Sequence, residues 1–195
     1  MPIQILGLRD YITKQGKKGK TTRFFNKNWH LARIEDVFTH SKVHKLLENI
    51  PEAEQWNLYF TVADCIKERE LESQITIPFD VDWVEYTEGS SQEAVTLQIR
   101  KILQETIALK EPDIREENIA CLWSGHGVQL FVFLEESFID RKVFDEYAGA
   151  YKKLCKLFAH KLKENGVVFR DVDTTVFSHA RLMRLPYTTN KKEGH

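Results

Sequence analysis

The chain has 195 residues, of which 42% are hydrophobic, 11% aromatic and 29% charged, with a formal net charge of -1. Such a length and mix fit one well-cored globular domain over residues 1–195 and exclude disordered and fibrous chains. The near-neutral balance does not advertise a nucleic-acid partner, so any such partner must be met by local charge.

The opening MPIQILGLRD lacks the apolar core of a secretory signal, and no run approaches the length that crosses a bilayer. The expectation is therefore a cytoplasmic protein with no membrane partner, in a prokaryotic cell or in the host of a plasmid or virus. Cys65, Cys121 and Cys155 are scattered and never paired as CxxC, which argues against a disulfide framework and a cysteine zinc site and for small core residues.

Residues 14–27, KQGKKGKTTRFFNK, hold six Lys or Arg and no acid. They read equally as a phosphate-contacting arm or hairpin, with Phe24 and Phe25 beside it, and as a solvated loop. Residues 30–49 read as one or two short helices. Within them His40 and His44 have the spacing of a chelating pair but no third ligand, so they are expected to be exposed helix histidines and no zinc is expected. WNLYFTV, 56–62, is aromatic and β-branched and predicts a strand, as does ITIPFDVD, 75–82. SSQEAVTLQIRKILQETIALK starts with a capping-box pattern, Ser90 to Glu93, and predicts a helix to about 109. IACLW and VQLFVFL predict a hairpin across SGHG. A long helix follows Asp140, with Phe144, Tyr147, Tyr151, Leu154 and Phe158 inward and a stop near Gly166. VVFRDVD then predicts another strand. The four tryptophans Trp29, Trp56, Trp83 and Trp123 are assigned to packing rather than to base stacking, with Trp83 singled out for its place beside acids. Helices alternating with strands that include a hairpin predict an α/β (α+β) fold, RRM-like, with helices on a mainly antiparallel sheet and an N-terminal αβ unit.

Asp80 and Asp82 follow a strand and stand two apart, hence on one face. Asp173 ends another strand, with Asp171 as the rival third acid. Three converging carboxylates repel one another unless a divalent cation neutralises them, and an all-oxygen donor set suits Mg²⁺ or Mn²⁺. The turn SGHGVQ, 124–129, lets backbone approach an anion, though it also reads as a plain turn. The acid-free residues 174–192 supply Arg181, Arg184, Lys191 and Lys192, the usual partners of phosphate. Acid pair, glycine turn, single acid and basic tail together describe a metal-dependent site for a nucleoside triphosphate.

These blocks resemble, in order and spacing, the three motifs of the archaeo-eukaryotic primase superfamily, which includes primase small subunits, primase-polymerases of plasmids and phages, and polymerase domains of bacterial end-joining ligases. FDVDW is similar to its first motif, hydrophobic-Asp-x-Asp, SGHGVQ to its second, Ser-Gly-x-Gly-x-His, and VDTTVFSHARLMRLPYTTNKKEG to its third and the sequel. The resemblance covers about residues 56 to 194. One departure is Gln129 where the family has histidine; an amide donates a hydrogen bond but cannot become cationic.

The resemblance implies template-directed nucleotidyl transfer in DNA replication, with primers made or extended on single-stranded DNA from nucleoside triphosphates. Asp80, Asp82 and Asp173 would hold two Mg²⁺ or Mn²⁺ ions about 4 Å apart. Ser124, Gly125, Gly127 and Gln129 would line the phosphates, and Arg184 and Lys192, with Arg181 and Asn190 as weaker candidates, would bind the triphosphate tail. Template strand and primer are the expected partners, with a helicase or C-terminal helical domain outside this chain, which is expected to be the N-terminal part of a longer protein that extends primers more readily than it starts them. The alternative is a non-catalytic single-stranded nucleic-acid-binding module on the same sheet. A glycosyltransferase using Asp-x-Asp ranks last, because it leaves SGHGVQ and the basic tail unused.

Overall fold

The structure, a computed structural model, describes residues 5–12, 18–25, 34–61, 64–65, 71–86, 89–111, 113–138, 141–178 and 181–188. The chain divides into two compact units, one formed by residues 1–74 and 179–195, the other by residues 75–178.

The first unit holds a four-stranded antiparallel sheet of order β2-β1-β3-β9, from β1 (Ile5–Ile12), β2 (Lys18–Phe24), β3 (Asn57–Thr61) and β9 (Leu182–Arg184). The basic stretch thus enters β2, which pairs antiparallel with β1, while residues 13–17, Asn26 and Lys27 lie outside the described residues. Phe25 is buried edge-on against the equally buried Trp56, with ring centroids 5.5 Å apart. A 3₁₀ turn (Ile34–Phe38) and α1 (His40–Glu48) supply Val37, Val43 and Leu46 to a buried set with Leu58, Phe60, Met183 and Leu185. His40 and His44 are exposed on α1, and the His44 imidazole lies 3.2 Å from Glu48.

The second sheet has the order β4-β5-β7-β6, from β4 (Asp64–Cys65), β5 (Leu71–Asp82), β6 (Ile119–Trp123) and β7 (Val128–Phe138), with β8 (Asp171–Val172) also paired to β5. The unit boundary falls within β5. Two helices, α2 (Gln92–Ala108) and α3 (Arg141–Glu164), pack in the second unit. Apolar residues at helical spacing explain both: Val95, Ile99, Ile102 and Leu103 of α2, and Tyr151, Cys155, Phe158 and Leu162 of α3, are buried with Phe79, Val81, Leu130 and Val132 of the sheet. Phe79 packs against Phe158 edge-on at 6.0 Å. α2 is capped by Ser91, whose side chain accepts from the Ala94 N–H at 3.1 Å, one residue later than the expected Ser90. α3 ends in a Schellman motif: Gly166 takes φ 74°, its N–H donates to Lys163 O at 3.0 Å, and Val167 N–H donates to Leu162 O at 3.0 Å.

The fold is α/β with antiparallel sheets, as expected. Two details differ. Tyr147, placed inward by the periodicity, is 57% exposed, and Cys155 completes the buried stripe instead. The strand expected from Val167 shrinks to Asp171–Val172, with an isolated bridge between Glu85 and Val168, because the chain meets β5 only where Asp82 ends it.

Candidate functional site

β5 carries Asp80 and Asp82 to its end, and β8 lies antiparallel beside it with Val81 opposite Val172 and Asp82 opposite Asp171. The Asp173 N–H donates to Asp80 O at 2.9 Å and the Arg170 N–H to Asp82 O at 3.0 Å. With Val81 and Val172 buried in the core, this register puts Asp80, Asp82, Asp171 and Asp173 on the other face of the ladder. Backbone hydrogen bonding therefore joins the acids of the first and third blocks.

Each carboxylate has a distinct neighbour. Gln129, 7% exposed on β7, donates from Nε2 to Asp80 Oδ2 at 3.4 Å. Arg170 donates to Asp82 Oδ2 at 2.9 Å and reaches Asp171 Oδ1 at 3.5 Å. Thr175 donates from both its backbone N–H and its hydroxyl to Asp173 Oδ1, each at 2.7 Å, which fixes that carboxylate at the strand end. Beneath them the Tyr151 hydroxyl donates to Pro78 O at 2.7 Å. Burial raises its pKa above the ordinary phenol value, and Cys155, Asp173 and Asp80 push it further in the same direction.

The SGHGVQ turn sits directly against the end of β5. A Cβ on Gly127 would come within 2.1 Å of the Val81 carbonyl oxygen, so only glycine fits there. Val84 N–H donates to His126 O at 2.7 Å, and Gly125 takes φ 119°. Ser124 closes the turn, its N–H and hydroxyl both donating to Gly127 O, at 2.8 and 3.2 Å.

The acids supply oxygen donors alone, the chemistry of a hard divalent cation. Among the described residues, no group of three or more His, Cys, Asp or Glu is gathered in metal-holding geometry, because the carboxylates turn to Gln129, Arg170 and Thr175. The Asp82–Arg170 pair is 39% and 57% exposed at its two side chains. Exposed pairs of this kind contribute about 0–1 kcal/mol, too little to bar a divalent ion from Asp82. The donor atoms are of the kind such an ion takes, while the carboxylates as they stand are not gathered to hold one.

No family model and no curated protein matches this sequence. Two solved structures are similar over 97% of the chain: the polymerase domain of Mycobacterium tuberculosis ligase D, determined in complex with DNA, with a TM-score of 0.50 at 12% identity, and the AEP domain of the cyanophage S-2L primase-polymerase, with 0.45 at 17%. The likeness to the ligase D polymerase domain is one of fold. The chain spans 60% of the ligase D structure and 77% of the cyanophage one.

Of the residues expected in a primase-polymerase site, the second unit brings Asp80, Asp82, Asp173 and the 124–129 turn together. Arg184 lies in the first unit on β9, where its guanidinium donates to Asn57 Oδ1 at 3.1 Å, approaches the Tyr59 hydroxyl at 3.4 Å and stands 4.9 Å from the Tyr59 ring centroid. Arg181 precedes β9, half-buried; Asn190 and Lys192 lie outside the described residues. Sequence reasoning did not single out Arg170 or Thr175. Thr175 two residues after Asp173 is a legible Asx-type signal; Arg170 carries none, since its partner Asp82 is set by strand register.

Proposed function

We propose that the protein is a template-directed nucleotidyltransferase that extends, or makes and extends, primers on single-stranded DNA from nucleoside triphosphates during replication. One observation carries the reading: the β5–β8 register that joins Asp80 and Asp82 to Asp173 while Gly127 packs the SGHGVQ turn on Val81 of the same strand. Acids of the kind that take a divalent cation, beside a glycine turn whose backbone can approach an anion, suit phosphoryl transfer, which rests on positioning and charge stabilisation.

Asp80, Asp82 and Asp173 would hold Mg²⁺ or Mn²⁺, which when bound neutralises the triphosphate and activates the attacking hydroxyl. Thr175 orients Asp173, and Gln129 orients Asp80 through its amide. The 124–129 turn offers backbone to the phosphates, and Arg181, Arg184, Asn190 and Lys192 keep the triphosphate role that the resemblance implies for them. A primer 3′-hydroxyl then attacks the α-phosphorus as pyrophosphate leaves.

The second reading, a non-catalytic nucleic-acid-binding module, draws on the ion pair between Arg170 and Asp82, which already neutralises one acid. Mn²⁺ binding followed by electron paramagnetic resonance separates the two. Under the catalytic reading the chain binds Mn²⁺, and Asp82→Ala weakens that binding at least about tenfold, as losing a ligand carboxylate should; binding equal in both chains would favour the module.

A further inference from the structure

Trp83 is not explained by packing. It is 50% exposed, and its backbone takes φ 53°, a left-handed conformation that bulky side chains rarely enter and that persists only where the surroundings hold it. Here they do. The N–H of the next residue, Val84, donates to His126 O at 2.7 Å, so the chain is tied to the 124–129 turn immediately after the strained residue. The indole lies against the His126 imidazole with centroids 4.5 Å apart and planes 7° from parallel. The Arg170 guanidinium stands 5.6 Å from the indole centroid while it bonds Asp82 at 2.9 Å. Three separate segments thus fix the plane of one ring, and half of that residue's surface still meets solvent.

A core residue would be covered, and an incidental surface residue would not be held in a strained backbone by a turn and a strand end. The imidazole is stacked on this rigid ring and a guanidinium lies over it, yet half of the residue meets solvent. Such a ring is suited to a flat aromatic ligand, since nucleobases stack on aromatic rings whatever their sequence, and an arginine there adds cation–π attraction and meets phosphate. We propose that Trp83, held by His126 and Arg170, is a stacking surface for a nucleobase, placed one residue beyond Asp82. The proposal deepens the nucleotidyl-transfer reading and rests on it for the class of ligand. The base belongs either to a DNA strand or to a free nucleotide.

The test is binding by the whole chain and by its Trp83→Ala and Trp83→Phe variants. Three probes are used: a fluorescein-labelled single-stranded 12-mer in EDTA, the same strand with abasic sites in EDTA, and dATP with Mg²⁺. Trp83→Ala should weaken a base-bearing probe by about tenfold, Trp83→Phe should retain most of the affinity, and the abasic strand should be unaffected. Loss confined to the 12-mer assigns the surface to a strand base, and loss confined to dATP assigns it to a nucleotide base. An unchanged affinity for both base-bearing probes, or an equal loss on the abasic strand, overturns the proposal. Repeating the strand measurement with Asp80→Ala, which leaves the Asp82–Arg170 pair in place, separates the two ideas: Trp83-dependent binding that survives there, in a protein that extends no primer even as wild type, keeps the stacking surface and rejects the enzyme.

Discussion

Cys155, buried on α3 one turn after Tyr151, has its thiol pushed up to about 11 from an ordinary value of 9, chiefly by burial, with a hydrogen bond to Tyr151 pulling it part of the way back and the nearby Asp173 adding a smaller upward push. The Tyr151 phenol is raised in the same direction. In both, the folded chain holds its proton more tightly than the unfolded chain does. For Cys155 the stabilisation is fully present below the unfolded value near 9 and is lost as pH rises through about 11. Urea midpoints measured from pH 7 to 11 should therefore fall above pH 9, and Cys155→Ala should flatten part of that fall. A wild-type midpoint constant to pH 11 would show that the thiol is not buried against Asp173. Below pH 9 the same residue should resist alkylation, since the thiolate is the reactive form.

The β6–β7 hairpin is an element whose seat is fixed by one atom. Gly127 brings the turn backbone against the Val81 carbonyl, and Trp123 Nε1 closes onto Gly125 O at 2.7 Å. Gly127→Ala should displace the turn and lower stability by about 1–3 kcal/mol, the usual effect of overpacking. Gly149→Ala on α3, where a Cβ meets nothing within 4 Å, should be neutral or stabilising. Thermal melts of the two variants check this; an equal effect from both would mean the turn is not seated on β5. The hairpin itself was legible in the sequence, because β-branched and aromatic runs flank a glycine-rich turn. So were α2, from its apolar spacing, and the end of α3, from Gly166. The brevity of β8 was not legible, since residues 167–173 have the β-branched and aromatic content of a full strand and only the place where β5 ends cuts the pairing short. Trp83 shows the same limit. Its aromatic character suggests packing, whereas its exposure follows from a left-handed φ and from contacts with His126 and Arg170, distant in sequence. Gln129 was expected to line phosphates, and burial on β7 gives it Asp80 as its neighbour.

At the scale of the whole molecule, the chain divides into two compact units, and all three expected acids fall in that of residues 75–178, which also holds the buried cluster from Phe79 to Val176. Asp80 and Asp173, distant in the chain, are brought together by a ladder of two residue pairs, so the site depends on the unit being folded as a whole. The same acids that crowd one face of that ladder repel one another unless Arg170 and a bound cation offset their charge, and Gln129 adds one hydrogen bond to Asp80. The central claim is that this crowding serves nucleotide addition. Its most direct test is extension of a labelled primer on a single-stranded template by the 195-residue chain, with Mg²⁺ or Mn²⁺, beside Asp80→Ala/Asp82→Ala. The account predicts template-dependent products from the wild type and none from the double variant. Absence of extension with either metal, or equal extension by both chains, would contradict it.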